Sequence, residues 1–312
     1  MIAFIRMEPW MRSDMKRFAW LMLSLLPCGA MAQPTATTAT FRFADGGEAR
    51  VHEIVVGGAA TVDTLVATYG GSGCTDLGQQ WLPRLADGLG IDARYVALDK
   101  RHVDPGAIGD GGAAACSPAF NVHDTPRQWM SDYMAFLSRT LDAQPGRWKK
   151  VVLVGGSEGG ALAARIARAR SDVTHLIVVG DGGWSMRENL SALMGADVVE
   201  AAWKTIAREP DRADAFWLGH AHRYWFDTFD HAPLPDYLAL QIPVLIGFGE
   251  RDGSVPAASA QDLLRAAHAA GKQNIGLVVY PGADHSLQAN GHDHLREFLR
   301  GAGQGIASGE LE

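Results

Sequence analysis

Basic residues are in short supply in this chain. Twenty-eight Lys and Arg stand against 35 Asp and Glu, giving a formal net charge of -7. No basic stripe is long enough to neutralise a row of phosphates, so a nucleic-acid role has no electrostatic support. Long apolar runs are also missing. The stretch from Phe18 to Leu26 is too short to span a bilayer comfortably. There is no internal repeat, which removes repeat arrays from consideration. Cysteine is scarce, with three in 312 residues. What is present is apolar material for one sizeable core, at 47% hydrophobic and 20% charged. Such a composition is not that of a disordered chain.

The N-terminus reads as an address. Met15-Lys16-Arg17 is basic, Phe18 to Leu26 is apolar, and Ala30-Met31-Ala32 has the small-x-small spacing of a cleavage site. These features predict a signal peptide over residues 1–32 and a periplasmic or secreted product starting at Gln33. Met15 is an alternative start, and an uncleaved anchor is the competing reading. Cleavage removes Cys28 and leaves Cys74 and Cys116. In an exported chain this pair invites a disulfide, worth about 4 kcal/mol in the chain-entropy model. Two separate buried thiols are the alternative.

Residues 34–40 are Thr-rich and polar and read as a flexible lead-in. Residues 41–43 and 51–56 read as early strands around an Asp45-Gly46-Gly47 hairpin turn. Short β-branched runs then alternate with helical segments. Strands are predicted at 64–69, 94–98, 151–154, 175–179, 243–248 and 275–280, in a mostly parallel sheet flanked by helices. Thr125-Pro126-Arg127-Gln128 predicts a capped helix start, and another helix starts at Ala258 and stops at Gly271. Residues 184–240 hold no convincing strand but carry Trp184, Trp203, Trp217 and Trp225. They are predicted to form a helical cap insertion in a domain spanning 33–302, followed by a flexible tail at 303–312.

The strongest chemical signal is Gly155-x-Ser157-x-Gly159. A buried strand enters it and an Ala-rich helix leaves it, the context of a nucleophile elbow. A serine on so sharp a turn needs glycine neighbours. The turn also aims the Glu158 N–H, at a helix start, toward an incoming carbonyl oxygen. A serine hydroxyl needs a base, and the base an orienting acid. Asp252, in Gly249-Glu250-Arg251-Asp252-Gly253, follows one strand, and His285, after Pro281-Gly282-Ala283-Asp284, follows the last. Glu250 and Asp181 are rivals for the acid; His292 and His294 are rivals for the base. His220-x-His222 and His292-x-His294 could each chelate an ion, but neither has a clear third ligand in the sequence. No metal or cofactor is expected.

With these residues in place, the chain resembles the α/β-hydrolase superfamily over nearly its whole mature length. Asp252 matches the superfamily acid before a Val-Pro-like pair, here Val255-Pro256, and His285 matches its histidine. The pairing of Tyr-Gly-Gly-Ser-Gly-Cys with Gly-Gly-Ser-Glu-Gly-Gly is similar to exported bacterial hydrolases. Tyr69-Gly70-Gly71-Ser72-Gly73 stands where the superfamily carries His-Gly-Gly-x-Gly, with Tyr69 in place of the common His. The resemblance implies that the Gly71 N–H, or that of Ser72, completes the oxyanion hole with Glu158. A Cys74–Cys116 bridge then ties that loop to the one after Lys100. The implied activity is serine hydrolysis of a small-molecule or peptide substrate through an acyl-enzyme, with an ester first. A peptidase reading a free amine through Glu188, Asp197 or Glu200, a thioesterase, and a non-catalytic binding protein of the same fold are the alternatives.

Overall fold

A computed structural model describes residues 36–108, 116–309 and 311. The predicted signal peptide lies outside the described residues. In chain order the elements begin with β1 (Thr37–Arg42), β2 (Glu48–Val56), β3 (Thr64–Tyr69), α1 (Trp81–Leu89), β4 (Ala93–Leu98), α2 (Pro118–His123) and α3 (Pro126–Asp142). They continue with β5 (Lys150–Gly156), α4 (Glu158–Ala169), β6 (His175–Val179), α5 (Met186–Met194) and α6 (Ala196–Ile206). Next come β7 (Phe216–Trp217), β8 (His220–Ala221), α7 (His222–Thr228), α8 (Leu234–Ala239) and β9 (Val244–Gly249). The last are α9 (Ala257–Ala269), β10 (Ile275–Tyr280), β11 (Gln288–Ala289), β12 (His292–Asp293) and α10 (His294–Ser308).

Eight strands form one sheet in the order β1-β2-β4-β3-β5-β6-β9-β10. The pairs from β4 through β10 are parallel, while β1–β2 and β2–β4 are antiparallel. Every residue of β3, β6 and β9 is buried, as expected for strands covered on both faces. One face packs Trp129, Tyr133, Phe136 and Leu137 of α3 with Leu162 and Ile166 of α4. The other packs Leu82 and Leu85 of α1 with Phe298, Leu299 and Ile306 of α10. The molecule is a mostly parallel sheet between helical layers, the α/β-hydrolase architecture.

Local signals set the helix ends. Thr125 Oγ1 accepts from the Gln128 N–H at 3.2 Å, capping α3. The Gln128 side chain does not return the bond and donates to Asp132 instead, so half of the predicted box forms. Two expectations need correction. Residues 37–40 of the supposed lead-in are the first part of β1, paired antiparallel from Thr37↔Glu53 onward. Threonine is β-branched, and its polar hydroxyl suits an exposed edge strand. The tail predicted flexible at 303–312 largely continues α10 to Ser308. Gly303 is the reason: a Cβ there would lie 1.9 Å from the Leu89 carbonyl oxygen. Glycine lets α10 lie against α1, which buries Ala302 and Ile306.

Candidate active site

Turns at the carboxyl ends of β3, β5, β9 and β10 meet along one edge of the sheet. Ser157, between β5 and α4, has φ 53° and ψ -130°. Such a backbone costs a non-glycine residue about 1–3 kcal/mol. The turn is held by the Ser157 N–H donating to the Val179 carbonyl at 2.7 Å, and by the Gly160 N–H donating to the Ser157 carbonyl at 2.7 Å. The glycines are a packing requirement. A Cβ on Gly155 would lie 2.2 Å from the Gly159 carbonyl oxygen, and one on Gly159 would lie 2.5 Å from that of Gly70.

His285 follows β10, and its Nδ1 lies 2.6 Å from Asp252 Oδ2. The other oxygen of Asp252 accepts from the N–H groups of Ser254 and Val255 at 2.8 and 2.9 Å. The carboxylate is buried and locked in place, while the imidazole is 29% exposed. With Nδ1 occupied, Nε2 is the nitrogen left for Ser157. Ser157 and His285 line one cleft of about 250 Å³, walled by Tyr69, Leu77, Trp81, Val179 and Leu295. Arg84, paired with Asp293 at 2.8 Å, stands at its wall.

The rival residues are engaged elsewhere. Glu250 accepts from the Gly282 N–H at 2.8 Å and braces the turn leading to His285. Asp181 accepts from the Tyr237 hydroxyl at 3.0 Å, and burial pushes its carboxyl up to about 7. His292 and His294 share Glu297 at 3.6 and 3.1 Å on the surface and do not line the cleft. His220 turns to Asp124 at 3.1 Å. A buried group, His52, Asp76 and Asp99, has ligand-like spacing. It already holds the Arg50 guanidinium, 2.8 Å from Asp99 and 3.3 Å from Asp76, so its donors fit an ion-pair network.

A Cβ on Gly71 would lie 3.1 Å from Ser157 Cβ and 3.8 Å from its Oγ, so this backbone runs directly against the serine. Glu158 opens α4, which puts its N–H at the positive end of that helix. Cys74 and Cys116 are bridged, with Cα atoms 5.7 Å apart. The bridge ties the segment after Gly71 to the start of α2. Lys100 went unnoticed in the sequence. It is buried, and its Nζ donates to the Gly71 carbonyl at 2.7 Å.

No residue of the Trp-rich insertion, 184–240, is among those lining the cleft. The insertion's aromatics pack on one another. Trp203 stacks on Phe229 with centroids 4.9 Å apart, and Trp217 meets Trp225 edge-on at 5.0 Å. It reaches the site from the side, where the Tyr224 hydroxyl donates to Glu158 Oε2 at 3.0 Å. Glu188 caps its own helix and Glu200 pairs with Arg187.

Solved structures share this fold at low identity. An esterase of Pyrococcus furiosus superposes with a TM-score of 0.58 at 14% identity, covering 88% of this chain and 93% of its own. Est1E of Butyrivibrio proteoclasticus, with ferulic acid bound, gives 0.60 at 18%, covering 88% and 99%. An acylaminoacyl peptidase of Pyrococcus horikoshii gives 0.58 at 11%, covering 89% of this chain and 41% of its own. No curated protein matches the sequence significantly. The profile of the prolyl oligopeptidase family matches residues 121–300. That span covers more than half of the chain, from within α2 into the first half of α10, and the protein belongs to this family of α/β-hydrolase serine hydrolases.

Proposed function

We propose that the protein is an exported esterase that cleaves carboxylic esters of small apolar or aromatic acyl groups, with Ser157 as nucleophile, His285 as base and Asp252 as orienting acid. His285 Nε2 takes the hydroxyl proton as Ser157 Oγ bonds to the acyl carbon, and Asp252 stabilises the imidazolium. The N–H groups of Gly71 and Glu158 receive the oxyanion. The alcohol leaves with the proton from His285. Water then attacks the acyl carbon, giving a proton to the same nitrogen; the bond to Ser157 Oγ breaks as His285 returns that proton to the serine, and the carboxylic acid departs.

The observation that carries this reading is one cleft lined by both a strained serine and a histidine whose far nitrogen is held by a buried carboxylate. The cleft also supports the choice of bond. Its walls are mainly apolar, and no Asp or Glu is among the described residues that line it, which favours an uncharged acyl group over a substrate with a free amine. The family match favours the second reading, a peptidase. Export rests on the N-terminal pattern, with cleavage after Ala32.

Intact mass of protein recovered from its own host, before and after a fluorophosphonate probe, tests all of this. The expected result is a chain starting at Gln33 with a single adduct that Ser157→Ala lacks. p-Nitrophenyl acetate and butyrate should turn over faster than aminoacyl p-nitroanilides. Faster anilide turnover would replace the esterase with the peptidase. A folded wild type that takes no adduct would move the protein to the binding class. A chain retaining residues 1–32 would refute cleavage.

A further inference from the structure

One half of the proposed oxyanion hole is gripped by a buried charge. Gly70 and Gly71 have no side chains with which to anchor their own backbone, yet the hole needs that backbone fixed. Lys100, two residues past β4, supplies the grip. Its Nζ donates to the Gly71 carbonyl at 2.7 Å and lies 3.0 Å from the centroid of the Trp129 ring. In a trans peptide the carbonyl and the next N–H point in opposite directions. Holding the Gly71 oxygen therefore also sets the Ser72 N–H and restrains the Gly71 dihedrals.

Among the described residues no carboxyl forms a direct ion pair with this ammonium, and its contacts are the Gly71 carbonyl and the Trp129 ring. Glu158 and Asp124 attract it, against a burial that lowers its pKa to about 8. Glu158 is the residue whose backbone forms the other half of the hole. One of its oxygens takes the Tyr224 hydroxyl, and the other has no hydrogen-bond partner among the described residues. Asp124 is similar, with Oδ2 on His220 and Oδ1 unpartnered. Burying charges and leaving acceptors open is costly, and a well-packed apolar side chain is often no less stable. The expense is reasonable if the cluster serves the site rather than the fold.

We propose that Lys100 is a positioning residue for catalysis: by gripping the Gly71 carbonyl, its ammonium fixes the Gly71–Ser72 peptide and, through the Gly71 dihedrals, restrains the Gly70–Gly71 peptide whose N–H receives the oxyanion, so that this donor is aligned before substrate arrives. This rests on the proposed acyl-transfer reaction at Ser157.

The test compares wild type, Lys100→Met and Lys100→Gln on a short p-nitrophenyl ester, with a trifluoromethyl ketone as an oxyanion-forming inhibitor. Removing an oxyanion donor outright costs roughly 10²–10³-fold in kcat. Loosening one should cost Lys100→Met roughly 10-fold or more, with KM within about twofold and inhibitor affinity falling in parallel with kcat. Lys100→Gln keeps a donor and should recover part of the loss, and it carries the test if the Met variant does not fold. A merely structural lysine would change melting temperature or KM while sparing the inhibitor. Folded variants with wild-type kcat, or with a kcat loss and unchanged inhibitor affinity, overturn the proposal. Fluorophosphonate labelling of the wild type separates this outcome from failure of the reaction itself. A labelled Ser157 beside an unaffected Lys100→Met enzyme removes only the role of Lys100.

Discussion

Asp181, a rival for the acid in the sequence, does not pair with His285, whose Nδ1 meets Asp252 instead. It is buried, accepts from Tyr237, and titrates near 7 because water is excluded from it. The unfolded chain releases the same proton near 4. The folded state therefore binds it more tightly, and that stabilisation is complete below about pH 4 and lost as pH rises through about 7. Asp181→Asn removes the dependence. The melting temperature of wild type minus that of the variant should fall between pH 4 and 7 and level off above. A difference flat with pH would show Asp181 ionised throughout. The sequence made Ser157 legible because its motif is local and its glycines are demanded by backbone contacts within a few residues and one neighbouring strand. It left Asp252, Glu250 and Asp181 as rivals, since each follows a strand and only the fold brings one of them to His285 Nδ1. Lys100 was not legible. Its bond to Gly71 exists because β3 and β4 are neighbours in the sheet, and no spacing along the chain encodes that.

Among the elements, the loop from Gly70 to Cys74 carries much of the site and has the least regular structure to support it. The Cys74–Cys116 bridge anchors it to Cys116, next to Ser117, whose side chain caps α2. Replacing both cysteines by serine should lower unfolding free energy by about 2–5 kcal/mol in urea titration. Turnover should fall as well, because the freed loop bears Gly71. Unchanged turnover in a folded Cys74→Ser/Cys116→Ser protein would show that the loop keeps its place without the link. The buried strands were readable as short apolar runs. The first part of β1, residues 37–40, was not legible because polar threonines conceal a strand whose faces are mostly in water, while residues 41–43 read as a strand; glycine in α10 reads as flexibility along the chain. In α10, Gly303 instead permits contact with α1, which is a tertiary fact.

The molecule as a whole keeps its packing and its chemistry apart. The insertion over 184–240 buries Trp225, sets Trp217 edge-on to it and stacks Trp203 on Phe229, adding to the core on one face of the sheet. Trp225→Ala should therefore cost about 3–5 kcal/mol of stability while leaving KM for short esters within about twofold. A large change in acyl preference with little loss of stability would instead make the insertion a substrate wall.

The chain order of the site has a consequence for the protein's own biosynthesis. The serine lies near the middle of the sequence, while its acid and its base follow the last two strands of the sheet, and α10 closes over one of those strands afterwards. A chain still being made carries Ser157 with neither Asp252 nor His285 yet beside it. The grouping of the three forms only when the C-terminal third has folded, so a chain clipped before β9 cannot assemble it.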